Sequence, residues 1–363
     1  MTAVRAFLLS RIALWGAAVV ALAVVELNPA RGPWDTARLH DLGGWLDVWA
    51  RWDSNWFLRI AEEGYSWPSV TPAFFPLYPS LVAVVGRLLG GHFVLAGVAV
   101  SVASTAFVAT LLYRLASRLA GPGAARRALI ALAVFPTSFF LTAVYSESLF
   151  LALAVGSFLL AERGRFGWAG LAAGLAMLAR AQGVALLPAL LLLAWRHRER
   201  RGAVLSVLSA VPVFAVYPLL LGVWIGRPFA FLEAEDVWDR HLSAFGPLGG
   251  LWQALTDDPR GWRWALEIGT AAVVLPLLVV VWRRLGAAYG IYSLAAVALP
   301  LSFPSDRLGG LYSFPRLCLA AFPIFLAAGM LNVRRPVAVA AACGSATLAL
   351  ACVVVWASWR FVA

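Results

Sequence analysis

Long apolar stretches separated by short polar breaks fill most of this chain. Runs at about 7–25, 92–113, 128–145, 146–161, 166–180, 183–195, 203–225, 264–282, 286–303, 315–332 and 336–358 predict helices. A full membrane crossing takes about 20 residues, so the runs at 166–180 and 183–195 predict half-length or tilted helices. The expected class is all-α and polytopic, with about 11 transmembrane helices. The stretch Pro76–Gly90 is apolar too, but it is short, starts Pro-rich and carries Arg87. It is expected as an interfacial helix. Two polar loops break the pattern, at about 26–91 and 226–263. With no soluble domain, linker, low-complexity tract or clear repeat, residues 1–363 are expected to form a single membrane domain.

Composition strengthens this picture. The chain is 62% hydrophobic and 13% charged, against about 25% charged residues in soluble domains. All 29 basic residues are Arg, which suits a GC-rich, bacterial source. The net charge of +11 is spread over short loops, so it points to an anionic membrane face and not to nucleic acid. A cytoplasmic N-terminus with alternating spans puts Arg5, Arg11, Arg114, Arg118, Arg126, Arg127, Arg163, Arg165, Arg196, Arg198, Arg200, Arg201, Arg283, Arg284, Arg334 and Arg335 inside. Only Glu162 and Glu199 accompany them, an asymmetry that supports the orientation. Treating 76–90 as a span would move Arg114–Arg127 to the other side. Both polar loops are then expected to face outward, and residues 1–25, which could pass for a signal peptide, are expected to be a retained span. Cys318, Cys343 and Cys352 have no metal-ligand spacing, and their odd number suggests no disulfide framework.

The outward loops hold the chemistry. The first carries Glu26, Asp35, Asp41, Asp47, Asp53, Glu62 and Glu63; the second carries Glu233, Glu235, Asp236, Asp239, Asp257 and Asp258. Asp53 precedes a helical pattern that ends near Gly64, so it reads as an N-cap, as a general base, or as both. Arg59 lies within reach of pairing with Glu62 or Glu63, or of meeting a phosphate. Glu147, in Tyr145-Ser146-Glu147-Ser148, is expensive at membrane depth, and reads as functional unless the turn is a loop tip in water. Arg180, Gln182 and Arg316 interrupt apolar runs near the outer side; each Arg is an interfacial anchor or a phosphate contact. Trp52, Trp56 and Tyr65 suit stacking on a sugar or an interfacial aromatic belt. His40 and His92 look isolated, His197 belongs to a basic loop, and His241 sits in the second loop, with no metal-ligand pattern among them. No cofactor is expected, although a divalent metal stays open. A phosphate-cradling Gly loop and a nucleotide fingerprint are both missing, which favours a lipid-linked sugar donor over a nucleotide sugar.

Trp52-Asp53, Phe57-Leu58-Arg59-Ile60-Ala61-Glu62-Glu63-Gly64-Tyr65 and Ala73-Phe74-Phe75-Pro76-Leu77-Tyr78-Pro79 resemble the PIG-V family of polytopic mannosyltransferases. Ala143-Val144-Tyr145-Ser146-Glu147-Ser148-Leu149-Phe150 is similar to a second family motif, and Arg180-Ala181-Gln182-Gly183 to a third. Glu63 stands where eukaryotic members often have His. The resemblance implies a GT-C-type fold, an inverting transfer from polyprenyl-phosphate-mannose and catalytic acid in the first outer loop. Eukaryotic members add the second mannose of the glycosylphosphatidylinositol core; a bacterial relative would need another lipid-linked or cell-envelope glycan acceptor. The residue assignment is Asp53 as base and Glu62 and Glu147 as sugar or acceptor contacts. Arg59, Arg180 and Arg316 are phosphate contacts, and Trp52, Tyr65 and Gln182 also bind substrate. Two other readings stand beside it: a transferase using another polyprenyl-phosphate sugar, and a lipid or sugar transporter, which should show paired repeats and mid-span charges.

Overall fold

The computed structural model describes residues 2–196, 202–256 and 261–362. His197, Arg198, Glu199, Arg200, Arg201, Asp257 and Asp258 lie outside the described residues. The principal helices are α1 (Thr2–Val24), α2 (Ser54–Glu63), α3 (Leu77–Leu88), α4 (Phe93–Ala133), α5 (Glu147–Glu162), α6 (Phe166–Ala179), α7 (Leu186–Arg196), α8 (Ala210–Ile225), α9 (Trp262–Leu285), α10 (Ala287–Ser302), α11 (Pro323–Met330) and α12 (Arg335–Ala357). Among the described residues, β pairing is confined to two isolated bridges around Ser305. The helices Thr2–Val24, Phe93–Ala133, Ala203–Ile225, Trp262–Leu285 and Arg335–Ala357 are long and apolar enough to cross a membrane. The fold class is therefore the expected helical, membrane-spanning one, with several expected runs realised as shorter helices.

Two expected runs are corrected. The run 128–145 is helical only to Ala133, and the next helix starts at Glu147. Pro136 intervenes, and a 3-10 turn at Ser138–Leu141 replaces the α-helix. The run 315–332 breaks into Phe314–Leu317, Cys318–Ala320 and α11, because Pro323 has no N–H to bond the preceding turn. α4 is 41 residues long, about 60 Å if straight, twice the hydrocarbon thickness. It is not straight: Gly121, at φ +80, breaks it just before Pro122, within the Arg-rich stretch expected to be a loop.

The chain forms two compact units. The first comprises residues 1–65, 76–152 and 328–362. Here α4 packs on α1 and α3, while α12 packs on α1. Arg11, counted among the cytoplasmic charges, is buried; it donates to Ser138 O at 2.9 Å and to Ala133 O at 2.6 Å. A guanidinium on the last carbonyl of α4 satisfies groups the helix end leaves open. A Cβ on Gly329 would sit 2.5 Å from Ala124 O, so α11 ends in backbone contact with α4. Arg127 fixes that contact by donating to Gly329 O at 2.7 Å.

The second unit comprises residues 66–75 and 153–327. α6 packs against α8 and the short helix Ala203–Val207. Gly170 and Gly174 line that contact, one helical turn apart. Tyr217 donates to Pro72 O at 2.6 Å, and Tyr292 to Ala320 O at 2.6 Å. Each buried hydroxyl thus ties a loop to a helix and avoids the cost of an unpaired polar group.

Candidate active site

In the first unit the site segment runs from Arg51 through α2. Ser54 Oγ accepts the Arg51 N–H at 3.1 Å, and the Asp53 carbonyl accepts from Trp56 N at 3.0 Å. These bonds start the helix without the Asp53 side chain, which makes no cap bond although Asp53 occupies the cap position. The N-cap reading is corrected: the half-buried carboxylate makes no cap bond to α2. Gly64, at φ +83, ends the helix as its C′ residue, with its N–H on Ile60 O at 2.9 Å.

Around Asp53 the loop is tied to distant chain. The Asp53 N–H donates to Tyr145 Oη at 3.1 Å. Val144 N donates to Trp49 O at 3.0 Å, and Trp356 Nε1 to Val48 O at 2.7 Å. Trp52 packs its ring between Trp34, Trp359 and Phe361, at centroid distances of 5.9, 5.8 and 5.5 Å. Arg51 is buried, with its guanidinium 4.3 Å from the Trp359 ring centroid and a bond to Asp47 O at 3.1 Å. Burial lowers its pKa to about 10, against the raising effect of Asp35 and Asp47, so it stays charged at neutral pH.

Glu147 is 4% exposed and opens α5. Burial excludes a loop tip in water, and the helix N-terminus is a favourable place for its charge. Glu62 pairs with Arg38 at 2.6 Å, and Glu63 pairs with Arg38 and with Arg59, the latter at 3.1 Å. Arg59 therefore takes the pairing that its spacing allowed, on an exposed flank of α2. Tyr65 follows the Gly64 turn, half-buried.

His40 and His92 are isolated only in sequence. His40 lies 2.7 Å from Asp35 Oδ1 and 3.7 Å from Asp47 Oδ2, and His92 Nδ1 contacts Asp41 Oδ1. Asp41 N also donates to Asp47 Oδ1 at 3.0 Å. Three acids, Asp35, Asp41 and Asp47, thus serve the internal bonding of this region, and the burial of Asp47 is one the sequence did not signal. Among the described residues, no group of three His, Cys, Asp or Glu side chains is placed to hold a metal ion.

In the second unit α6 ends at Ala179, and Arg180 is extended at φ −159. Arg180 Nε donates to Gln182 Oε1 at 3.1 Å, and Gln182 Nε2 to Leu317 O at 3.3 Å. Gln182 thereby stitches the turn of Arg180 to the short helix that carries Arg316. A Cβ on Gly183 would lie 2.6 Å from Met177 Cα, so only glycine lets this turn close. Two half-buried guanidinium groups on neighbouring turns suit an anionic group. Sequence reasoning passed over Glu267, which is 5% exposed and 3.6 Å from Arg263. An acid inside an otherwise apolar span was the signal for it.

The profile of the family described as Mannosyltransferase (PIG-V) matches residues 14–231. GPI alpha-1,6-mannosyltransferase 2 from Cricetulus griseus is 31% identical over 205 residues, covering 52% of this chain and 40% of that protein. The chain thus aligns with about two-fifths of this curated relative. The crystal structure of ArnT from Cupriavidus metallidurans in the apo state superposes with a TM-score of 0.57 at 18% identity, over 93% of this chain and 61% of ArnT. ArnT from the same organism bound to undecaprenyl phosphate superposes with a TM-score of 0.55 at 16% identity, over 96% of this chain and 63% of ArnT. The likeness is one of fold: the chain has the GT-C-type helical architecture expected above, that of an integral membrane protein.

Proposed function

Since this chain belongs to the PIG-V mannosyltransferase family, we propose that it transfers a mannosyl residue from polyprenyl-phosphate-mannose to a lipid-linked or cell-envelope glycan. The observation that carries the mechanism is the Asp53 carboxylate, placed at a helix N-terminus yet not spent on its cap. Asp53 accepts the proton of the acceptor hydroxyl as that oxygen attacks the anomeric carbon. The bond from that carbon to the phosphate oxygen breaks on the opposite face, and the configuration inverts. Polyprenyl phosphate departs as an anion, so no strong general acid is needed. Arg180 and Arg316 are assigned to the donor phosphate, where charge grows during departure. Glu147 is assigned to the sugar or acceptor hydroxyls. The fold shared with ArnT, crystallised with undecaprenyl phosphate, supports a lipid-linked donor. The proposed setting is a bacterial plasma membrane, with the N-terminus cytoplasmic and the site facing outside.

Asp53→Asn tests the base. It keeps the side-chain volume, and the helix loses no cap bond. Turnover is expected to fall roughly 10²–10⁴-fold, the usual contribution of general-base catalysis, with donor affinity retained. Near-normal transfer by Asp53→Asn would remove Asp53 from the chemistry and move the base to Glu62 or Glu147. Purified protein is further expected to use polyprenyl-phosphate-mannose and to leave GDP-mannose untouched; direct transfer from GDP-mannose would refute the donor.

A further inference from the structure

Trp52, immediately before Asp53, has φ +52. That backbone region is rare for any side chain and a genuine outlier for a bulky one. It persists only where the surroundings over-determine it. Here a single atom holds both sides of the residue. Tyr145 Oη donates to Arg51 O at 3.2 Å and accepts from Asp53 N at 3.1 Å. The hydroxyl thus bridges the two peptide groups that flank Trp52.

Tyr145 is itself immobilised. It is 2% exposed, and its ring packs against Phe140, Trp356 and Phe57 at centroid distances of 4.9, 5.8 and 6.0 Å. Its carbonyl accepts from Ser101 Oγ at 3.3 Å. The preceding Val144 N–H is bound to Trp49 O. Phe57 belongs to α2, so the same ring that carries the hydroxyl also supports the first turn behind Asp53.

We infer that the Tyr145 hydroxyl is the positioning element for Asp53: it fixes the left-handed turn at Trp52 and so aims the catalytic carboxylate. This deepens the general-base reading of Asp53 and rests on it. Tyr145 does not touch substrate in this role. The Asp53 side chain makes no cap bond to α2, and the backbone on either side of Trp52 carries it. Without the hydroxyl, the Arg51 carbonyl and the Asp53 N–H lose their common partner, and the turn is left to the bonds between Arg51 and Ser54.

The test is a double-mutant cycle with a control. Tyr145→Phe keeps the ring and its packing and removes only the bridge. Turnover is expected to fall roughly 10–100-fold, as for a displaced catalytic group, with KM for polyprenyl-phosphate-mannose unchanged. In an Asp53→Asn background, Tyr145→Phe is expected to cost nothing further, because the two act as a unit. Tyr217→Phe is the control. Its hydroxyl is equally buried and donates to Pro72 O in the second unit, outside the contacts of Tyr145. It is expected to lower the melting temperature but not turnover. If Tyr145→Phe matches Tyr217→Phe, losing stability and keeping turnover, Tyr145 is structural and the inference fails. An additive loss in the Asp53→Asn background would also overturn it. A near-normal Asp53→Asn would overturn the general-base reading instead, whereas an inactive Asp53→Asn beside a fully active Tyr145→Phe would overturn only the positioning.

Discussion

Single polar groups carry unusual weight in a chain with so few of them. Tyr78 Oη bonds Gly97 O at 2.9 Å and Ser101 Oγ at 2.9 Å, and burial pushes its ionisation well above the ordinary tyrosine range. Removing that hydroxyl should cost about 1 kcal/mol, the net worth of a typical buried bond, read as a lower melting temperature in detergent. Gly64 makes a sharper case. Its φ of +83 and ψ of −165 lie in a region essentially reserved for glycine. Gly64→Ala is expected to destabilise by about 1–3 kcal/mol, although the glycine's own Cβ position is open space. An unchanged melting temperature would mean that the turn after α2 re-forms in another conformation. Both positions sit in stretches legible in the sequence, yet only Gly64 could be assigned its task beforehand. A helix stop is a local event, whereas the partners of Tyr78 belong to α4.

At the scale of elements, α6 and the helices it packs on come close because Gly170 and Gly174 present no side chain. Cβ atoms there would lie 2.5 Å from Ser206 O and 2.6 Å from Val213 Cβ. Small residues one turn apart are the means by which membrane helices approach closely. Gly170→Ala meets backbone that cannot rotate away, so it is expected to cost about 1–3 kcal/mol of stability, as overpacking does. Gly269, in α9, has nothing within 4 Å of its Cβ position. Gly269→Ala should therefore stabilise by about 0.5–1 kcal/mol through helix propensity. Thermal denaturation of both variants in one detergent checks the pair, and equal shifts would deny that the contact depends on glycine. The breaks in helices follow local chemistry too. Pro136 and Pro323 interrupt stretches that hydropathy alone reads as continuous, whereas Gly121-Pro122 breaks α4 within the Arg-rich stretch between two runs.

At the scale of the whole molecule, the proposed orientation is open to direct labelling. Ser66→Cys, in a chain whose Cys318, Cys343 and Cys352 are replaced, is expected to react with a membrane-impermeant maleimide in intact cells. Reaction only after permeabilisation would reverse the topology and, with it, the side on which transfer takes place. Charge bias is the motive for this prediction. One contributor to that count behaves differently: Arg11 is buried on the carbonyls of Ser138 and Ala133. The remaining Arg still give the bias its sign.

Hydropathy and charge by themselves determined the class of this protein, because a chain that is 62% hydrophobic cannot cover itself with polar surface in water. Local spacing likewise placed α2 and its Gly64 stop and narrowed the partner of Arg59 to Glu62, Glu63 or a phosphate, since such contacts arise within a turn of helix. The motif around Asp53 was legible, but its cap was not: whether a carboxylate bonds its own helix depends on a rotamer and on what else starts the turn. Tertiary structure alone decided that Glu147 is buried, that His40 and His92 face carboxylates, and that Gln182 ties Arg180 to the helix of Arg316. It also alone joined Tyr145 to Asp53 across 92 positions of chain. The reason is the range of the signal. Periodicity reports which residues share a face of one element, whereas a hydrogen bond between elements depends on how their faces meet, and no repeat in the sequence encodes that.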